Sequence, residues 1–469
     1  VLALAAGAGL AMAFPQVNWS AGAWVALAPL FALALTGSPR AALAWGWLTG
    51  TVFFVVLLRW LDFTLRAYSA IPWPLTWVPI ALLGAYCGLW VGAVGGVISL
   101  VARRSGPGWA LATAPVAWVA GEWGRGVLFG GFPWGLLGYS QYRALPVIQV
   151  AELGGVWAVS LVVAAVNAAL AGLVLLGPRR ALGGLATAGA LLLGTLAFGW
   201  WRLGEPSPPG EVLVAVVQPA IEQPLKFDPD HRAETFAIYT ALTRAAARER
   251  PALVVWPETA SPVVLRRDPA ALEWLRGLSR ETETPLLVGS LDVGDAGELR
   301  NSAFLLSAAG IAARYDKMQL VPFGEYVPLP GIIGFVRGWA EFISEMTPGA
   351  QPTVVAGPPG PFGVVICYEG IFPALVRRFV AGGARLLVNM TNDAWFGRTS
   401  GPWQHLAAYP FRAVEHRSAV VRSANTGVSA VIAPTGRILR TLGLFRRGVL
   451  LERVPLRART TLYSRWGDW

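Results

Sequence analysis

The chain has 469 residues, of which 55% are hydrophobic and only 14% charged, and its formal net charge is +11. A soluble domain usually carries about a quarter charged residues, so this composition excludes a wholly soluble globular protein and points to a membrane. The positive charge suits an anionic membrane surface, and without a basic repeat or a recognition module the sequence offers nothing that would read nucleic acid.

The charge deficit is uneven. Charges are rare over residues 1–201 and return at ordinary density from Glu211 onward. The Pro-rich stretch Glu205-Pro-Ser-Pro-Pro-Gly210 reads as a stiff connector. This predicts a membrane domain over 1–204, a linker over 205–210 and a polar domain over 211–469. Uncharged runs that could cross a hydrocarbon core of about 30 Å lie near 19–35, 41–58, 75–101, 109–129, 154–176 and 181–201, with a shorter one at 2–14. That first run ends in Ala11-Met-Ala13 as a signal peptide would, but lacks a positive n-region, which favours a short first helix. About seven helices are expected. Arg40, Arg103, Arg104, Arg179 and Arg180 fall in alternate connections, so those loops are expected inside and the polar domain outside. Arg59, Arg66, Arg125 and Arg143 count against this orientation.

The polar half alternates strand-like and helix-like segments. Strand patterns occur at 211–218, 252–256, 285–291, 302–306, 364–366, 386–390 and 429–432, and helix patterns at 230–249 and 270–280. This is an α/β pattern with helices packed on sheet faces.

Three apolar runs in this half break at ionisable groups. Phe362-Gly-Val-Val-Ile-Cys-Tyr-Glu-Gly370 ends in a thiol just before a helix-like segment, a strand-to-helix junction of the kind that exposes a nucleophile. In Leu253-Val-Val-Trp-Pro-Glu-Thr259 a carboxyl follows Pro257, which stops the ladder. Desolvation there is expected to raise the pKa of Glu258 and make it a proton acceptor for a thiol. In Arg314-Tyr-Asp-Lys-Met-Gln-Leu-Val-Pro-Phe-Gly-Glu-Tyr326, Lys317 offers a cation for a developing oxyanion, with Glu325 following. Singly, each charge could be a surface group at a strand end. Together they form a nucleophile, an acid/base and an electrophile without histidine. Other polar residues read differently. Glu122 and Arg125 could pair on one helix face or bind a headgroup. Cys87 lies in a span and reads as packing, so no disulfide is expected. His231, His405 and His416 lack metal-ligand spacing, so no metal is expected.

This set of motifs resembles the carbon-nitrogen hydrolase (nitrilase) superfamily. Behind a multi-helix membrane domain it resembles the bacterial apolipoprotein N-acyltransferase family. Gly131-Phe-Pro-Trp-Gly135, Gly138-Tyr-Ser-Gln141, Asn392-Asp-Ala-Trp-Phe-Gly397 and Gly401-Pro-Trp-Gln-His405 extend the resemblance over nearly the whole chain. It implies a multi-span α-helical membrane domain followed by an α/β nitrilase-like αββα sandwich. It also implies Cys367 as nucleophile, Glu258 as general base and Lys317 as stabiliser of the tetrahedral intermediate. Glu325 and Glu369 would support the site, Tyr368 would give a backbone N–H to the oxyanion, and Phe227 and Trp395 would face substrate. Two departures stand out. Phe227, in Leu225-Lys-Phe-Asp228, replaces the family's usual Trp. The family's eighth membrane helix would begin about where this sequence stops, in Tyr463-Ser-Arg-Trp-Gly-Asp-Trp469, which leaves a truncated sequence or one span fewer as readings.

The implied reaction moves an acyl chain from a phospholipid through a cysteine thioester to the N-terminal amino group of a lipid-modified apolipoprotein. It needs no cofactor, and it implies a bacterial inner-membrane protein with its catalytic domain on the periplasmic face. Two rival readings are a membrane-tethered amidase or nitrilase that passes the acyl group to water, and a non-enzymatic multi-span transporter or receptor.

Overall fold

Runs of apolar residues too long for a strand and without charges fold as helices, which satisfy every backbone group internally. The computed structural model describes residues 1–206, 210–334 and 344–468, without the side chains of 332 and 333. In the first half the helices are α1 (Leu2–Ala11), α2 (Ala23–Ala26), α3 (Ala28–Thr36), α4 (Pro39–Leu57), α5 (Leu61–Tyr68), α6 (Trp77–Ser105), α7 (Pro107–Val127), α8 (Leu145–Ile148), α9 (Ala151–Leu176) and α10 (Pro178–Leu203). Every apolar run noted above falls on helix. By length and apolarity, however, four helices qualify as membrane spans among the described residues, namely α4, α6, α9 and α10. The run at 19–35 is broken after Ala26, and α7 carries Glu122 and Arg125. Helices α4 and α6 approach closely at glycines, since a Cβ on Gly50 would strike the Gly88 backbone. Small residues of this kind let membrane helices pack backbone to backbone.

Of the expected linker, residues 207–209 lie outside the described residues. The second half runs β1 (Glu211–Gln218), α11 (Arg232–Ala247), β2 (Leu253–Val255), α12 (Pro269–Glu281), β3 (Leu286–Val293), β4 (Leu299–Ser307), β5 (Gly310–Asp316) and α13 (Pro330–Ile333). It continues through β6 (Val354–Val355), β7 (Phe362–Ile366), α14 (Pro373–Ala381), β8 (Leu386–Thr391), α15 (Gly401–Leu406), α16 (Tyr409–His416), β9 (Val420–Ala424), β10 (Ser429–Ile432), β11 (Ile438–Leu442), β12 (Gly448–Pro455) and α17 (Leu462–Trp466). Two six-stranded sheets result, ordered β12-β1-β2-β3-β4-β5 and β11-β10-β9-β8-β7-β6. At the centre of each, three strands are parallel: β1, β2 and β3 in one sheet, β7, β8 and β9 in the other.

The strands bury both faces, as parallel strands in α/β proteins do. Val214, Val216, Leu253 and Val255 of the first sheet share one core with Val364, Ile366, Val388 and Val421 of the second. On the other face of the first sheet, Val217, Val254 and Leu286 pack against Tyr239 of α11 and Leu275 and Leu278 of α12. Each such fully buried side chain contributes about 1.5–3 kcal/mol. The result is an αββα sandwich.

The two halves share a hydrophobic cluster in which Leu57 and Tyr139 meet Phe372, Phe411 and Val414. The Gln404 amide makes four hydrogen bonds across the same boundary. Gln404 Nε2 donates to the carbonyls of Pro15 and Leu57, both at 3.0 Å, and its Oε1 accepts from the indoles of Trp60 and Trp134 at 3.1 and 2.9 Å. Arg202, at the end of α10, pairs with Glu152 of α9, which also takes Arg417. Glu122 and Arg125 form no ion pair with each other among the described residues. Glu122 accepts the Leu137 N–H at 2.6 Å, while Arg125 donates to the carbonyls of Phe132 and Trp134, so both brace the loop after α7.

Candidate active site

Cys367 follows β7, Glu258 lies three residues beyond β2, and Lys317 follows β5. All three therefore sit at carboxyl ends of strands, where open α/β sheets place their sites. Each position has a local cause. Pro257 ends the β2 ladder, and Thr259 takes a left-handed φ of 44°, so the chain turns sharply at Glu258. Cys367 is left-handed too, with φ 51°. Such a conformation costs a non-glycine residue about 1–3 kcal/mol and persists only where surrounding contacts over-determine it.

The charged groups meet in a chain. Lys317 Nζ donates to Glu258 Oε1 at 3.2 Å and to Glu325 Oε1 at 2.8 Å. Asn301 Nδ2 donates to the same two carboxylates at 2.7 and 3.1 Å, and the Asn392 N–H donates to Glu258 Oε2 at 2.8 Å. Glu325 Oε2 accepts the Val321 N–H at 2.8 Å. A second lysine meets the Glu258 backbone. Lys226 Nζ donates to the Glu258 carbonyl at 2.9 Å and to Thr259 Oγ1 at 2.5 Å, which pins the strained turn.

These contacts set the protonation states. Burial opposes ionisation of Glu258, but Lys317, Lys226 and the two asparagine hydrogen bonds outweigh it and hold its carboxyl below the ordinary range. The expected rise from desolvation is thus reversed, because two cations bordering a carboxylate exceed the burial term. Burial would lower the Lys317 pKa, yet Glu258 and Glu325 push it well above the ordinary value. Lys226 has less carboxylate around it, and burial takes it down to about 7. Cys367 is only 8% exposed. Burial and the Glu258 charge raise its thiol pKa, and Lys317 opposes them.

Glu369 joins the nucleophile's loop to the lysine's loop. Its Oε1 accepts from Tyr315 Oη, Met318 N and Gln319 N at 2.7, 2.6 and 3.1 Å, and its Oε2 accepts the Ile366 N–H at 2.7 Å. Burial pushes this carboxyl up to about 7. Tyr368 is buried against Phe372, with its ring centroid 4.9 Å away. Phe227 is 42% exposed. Trp395 is half-buried, its ring is 4.9 Å from that of Tyr68, and its carbonyl accepts from Thr64 Oγ1 at 2.8 Å, so α5 of the first half grips this loop.

The fold thus gathers Glu258, Lys317 and Glu325 into direct contact, with Cys367 in their electrostatic field and Glu369 bracing the two loops. Phe227 follows Lys226 in the chain, and Trp395 lies three residues after Asn392. Sequence reading missed Lys226, Asn301 and Asn392. Lys226 and Asn392 lie inside motifs noted above, but only the fold shows that they face Glu258.

Comparison with known proteins finds matches for both halves of the chain. Residues 6–169 match the apolipoprotein N-acyltransferase N-terminal domain, and residues 213–462 match carbon-nitrogen hydrolase. An apolipoprotein N-acyltransferase of Geobacter metallireducens is 39% identical over all of this chain and 91% of its own length. The chain belongs to the apolipoprotein N-acyltransferase family. Another apolipoprotein N-acyltransferase, from Gloeobacter violaceus, is 35% identical over all of this chain and 90% of its own length. A crystal structure of an amidase from Nesterenkonia sp. is 23% identical, covers 54% of this chain and 93% of that one, and has a TM-score of 0.41, a likeness too loose to carry an argument. As a member of the apolipoprotein N-acyltransferase family, the protein is a membrane acyltransferase with a nitrilase-like domain.

Proposed function

We propose that the protein transfers an acyl chain from a phospholipid to the α-amino group of a diacylglyceryl-cysteine apolipoprotein by way of a thioester on Cys367. The observation that carries this reading is the buried chain Glu258–Lys317–Glu325 beside Cys367. It supplies a base, a cation and a nucleophile in one desolvated site next to membrane helices.

In the first step, Cys367 Sγ attacks the ester carbonyl carbon while its proton passes to Glu258. The thiol is held protonated and the carboxylate ionised, so a free thiolate is costly, and proton transfer accompanies C–S bond formation. Lys317 and the Tyr368 N–H stabilise the oxyanion. Collapse breaks the C–O bond, Glu258 returns the proton to the departing glycerol oxygen, and a lysophospholipid leaves. In the second step, the acceptor amine attacks the thioester and gives a proton to Glu258. The C–S bond breaks, and the sulfur takes that proton back. Glu325 and Glu369 hold Lys317 and the nucleophile loop in place, while Phe227 and Trp395 border the substrates.

We place the protein in the bacterial inner membrane with the sandwich on the periplasmic face. Arg103, near the end of α6, reaches the Gly37 carbonyl just before α4, which brings Arg40 and Arg103 to one end of the bundle. That basic end suits the cytoplasm.

Intact-mass measurement of purified protein incubated with phospholipid tests the first step. The wild type should gain one acyl chain, removable by hydroxylamine, and Cys367→Ala should not. Adding a diacylglyceryl-cysteine peptide should then clear the adduct and yield a hydroxylamine-resistant acyl-peptide. Release of free fatty acid with no acyl-peptide would overturn transfer in favour of hydrolysis, and lipoprotein acylation by Cys367→Ala would overturn the nucleophile.

A further inference from the structure

Around the backbone carbonyl of Cys367 lies a second polar network that the reaction above does not use. The Cys367 carbonyl oxygen is met by Tyr409 Oη at 3.1 Å, His405 Nε2 at 3.3 Å and, weakly, Asn389 Nδ2 at 3.5 Å. His405 Nε2 also lies 3.2 Å from the Tyr409 hydroxyl, and Nδ1 lies 3.0 Å from Asp393 Oδ1. Asp393 Oδ2 accepts from Arg422 Nη2 at 2.6 Å, and Oδ1 accepts from Thr391 at 2.9 Å. All of these side chains are buried.

The direction of each bond follows from charge. Burial opposes ionisation of Asp393, but Arg422 and His405 hold its carboxyl at about 2. Burial and Arg422 lower the pKa of His405, which favours the neutral ring, and the Asp393 carboxylate beside Nδ1 favours the tautomer that carries its proton there, although Arg422 Nη2 also lies 3.2 Å from Nδ1. In that tautomer Nε2 has no proton for the Cys367 carbonyl, and the donor there is the Tyr409 hydroxyl. Space for that hydroxyl depends on a neighbour of the nucleophile, since a Cβ on Gly370 would overlap Tyr409 Oη.

The peptide plane gives this contact its consequence. In a trans peptide, the carbonyl of Cys367 and the N–H of Tyr368 point in opposite directions. Fixing the oxygen on the Tyr409 side therefore aims the N–H at the opposite side, where the acyl oxyanion develops. It also helps hold Cys367 in its left-handed conformation. We infer that Tyr409, in a pocket walled by His405, Asp393 and Arg422, is a positioning residue that clamps the Cys367 carbonyl and so aims the Tyr368 N–H at the oxyanion. The inference rests on the acyl-transfer reading above.

Tyr409→Phe removes the donor and little else. With full-length protein in detergent and a phospholipid whose acyl carbonyl is ¹³C-labelled, two quantities are read: the rate of thioester formation, and the isotope-edited infrared stretch of the acyl-enzyme carbonyl. The wild type should show a polarised, low-frequency carbonyl. Tyr409→Phe should form the thioester about 10- to 100-fold more slowly at saturating lipid, somewhat less than outright loss of an oxyanion donor, with KM unchanged and the carbonyl at higher frequency. If Tyr409→Phe is unstable, Gly370→Ala, whose methyl displaces the hydroxyl, should give the same two changes. An unaltered rate and frequency would overturn the clamp. So would a slower rate with unaltered frequency, which would mark a merely structural loss. A wild type that forms no thioester at all would instead overturn the acyl-transfer reading.

Discussion

Glu258 carries the most chemistry per atom, because one carboxylate faces two lysines and must still accept a proton. Glu258→Gln keeps the side-chain shape but cannot take the thiol proton. Thioester formation, followed by intact mass, should fall by about 10²- to 10⁴-fold, the usual worth of a positioned general base. The sign of the pH dependence follows from the shift. The base works when ionised, and its folded pKa is depressed, so activity should persist below the ordinary glutamate range and be lost only as pH falls through the lowered value. Lys226 is one cause of that depression. Lys226→Met should therefore move the acid limb of the acylation rate to higher pH, and a limb that stayed in place would show that Lys317 suffices. Cys367 and Glu258 stood out in the sequence because each ends an apolar run abruptly, and Lys317 because it lies in a motif of the family that the chain resembles. Lys226 was not, because a lysine in a polar loop looks the same whether it is solvated or buried.

At the scale of elements, the strand ends do the placing. Gly289 of β3 lies against the Glu258 turn, and a Cβ there would overlap the Pro257 carbonyl and crowd the Glu258 backbone. Gly289→Ala should therefore displace the base and lower thioester formation by at least 10-fold, while far-UV circular dichroism stays unchanged. A fully active Gly289→Ala would mean that the turn yields without moving the carboxylate. Most central strands were readable from sequence because β-branched runs bounded by turns mark them. Strands β5, β6, β9, β11 and β12 were not. The exposed Arg440 and Thr441 of β11 and the adjacent charges Glu452 and Arg453 of β12 interrupt the apolar pattern, and partners distant in sequence make them strands.

For the whole molecule, the boundary between the halves concentrates four hydrogen bonds on one buried side chain, Gln404. Gln404→Leu would leave two indole N–H groups and two carbonyls without their partner. Each buried group left unsatisfied costs about 1–3 kcal/mol. With partial rehydration, the variant should lose about 2–4 kcal/mol, seen as a lower Tm in detergent. An unchanged Tm would mean that the shared hydrophobic cluster alone sets the interface.

The sequence by itself determined that the chain is a membrane protein with an α/β half, and it marked which thiol, carboxylate and amine to watch. Composition and short-range periodicity are local properties, and these features are written in them. Tertiary structure decided what a local pattern cannot hold. It brought Lys317 to the Glu258 carboxylate and Lys226 to the Glu258 backbone, and so inverted the direction of that residue's pKa shift. It left four of the apolar helical runs as candidate spans, and it placed Tyr409 against the carbonyl of the nucleophile. Each of these depends on groups distant in the chain becoming neighbours in a buried site, where low dielectric makes their mutual charge and hydrogen bonding decisive.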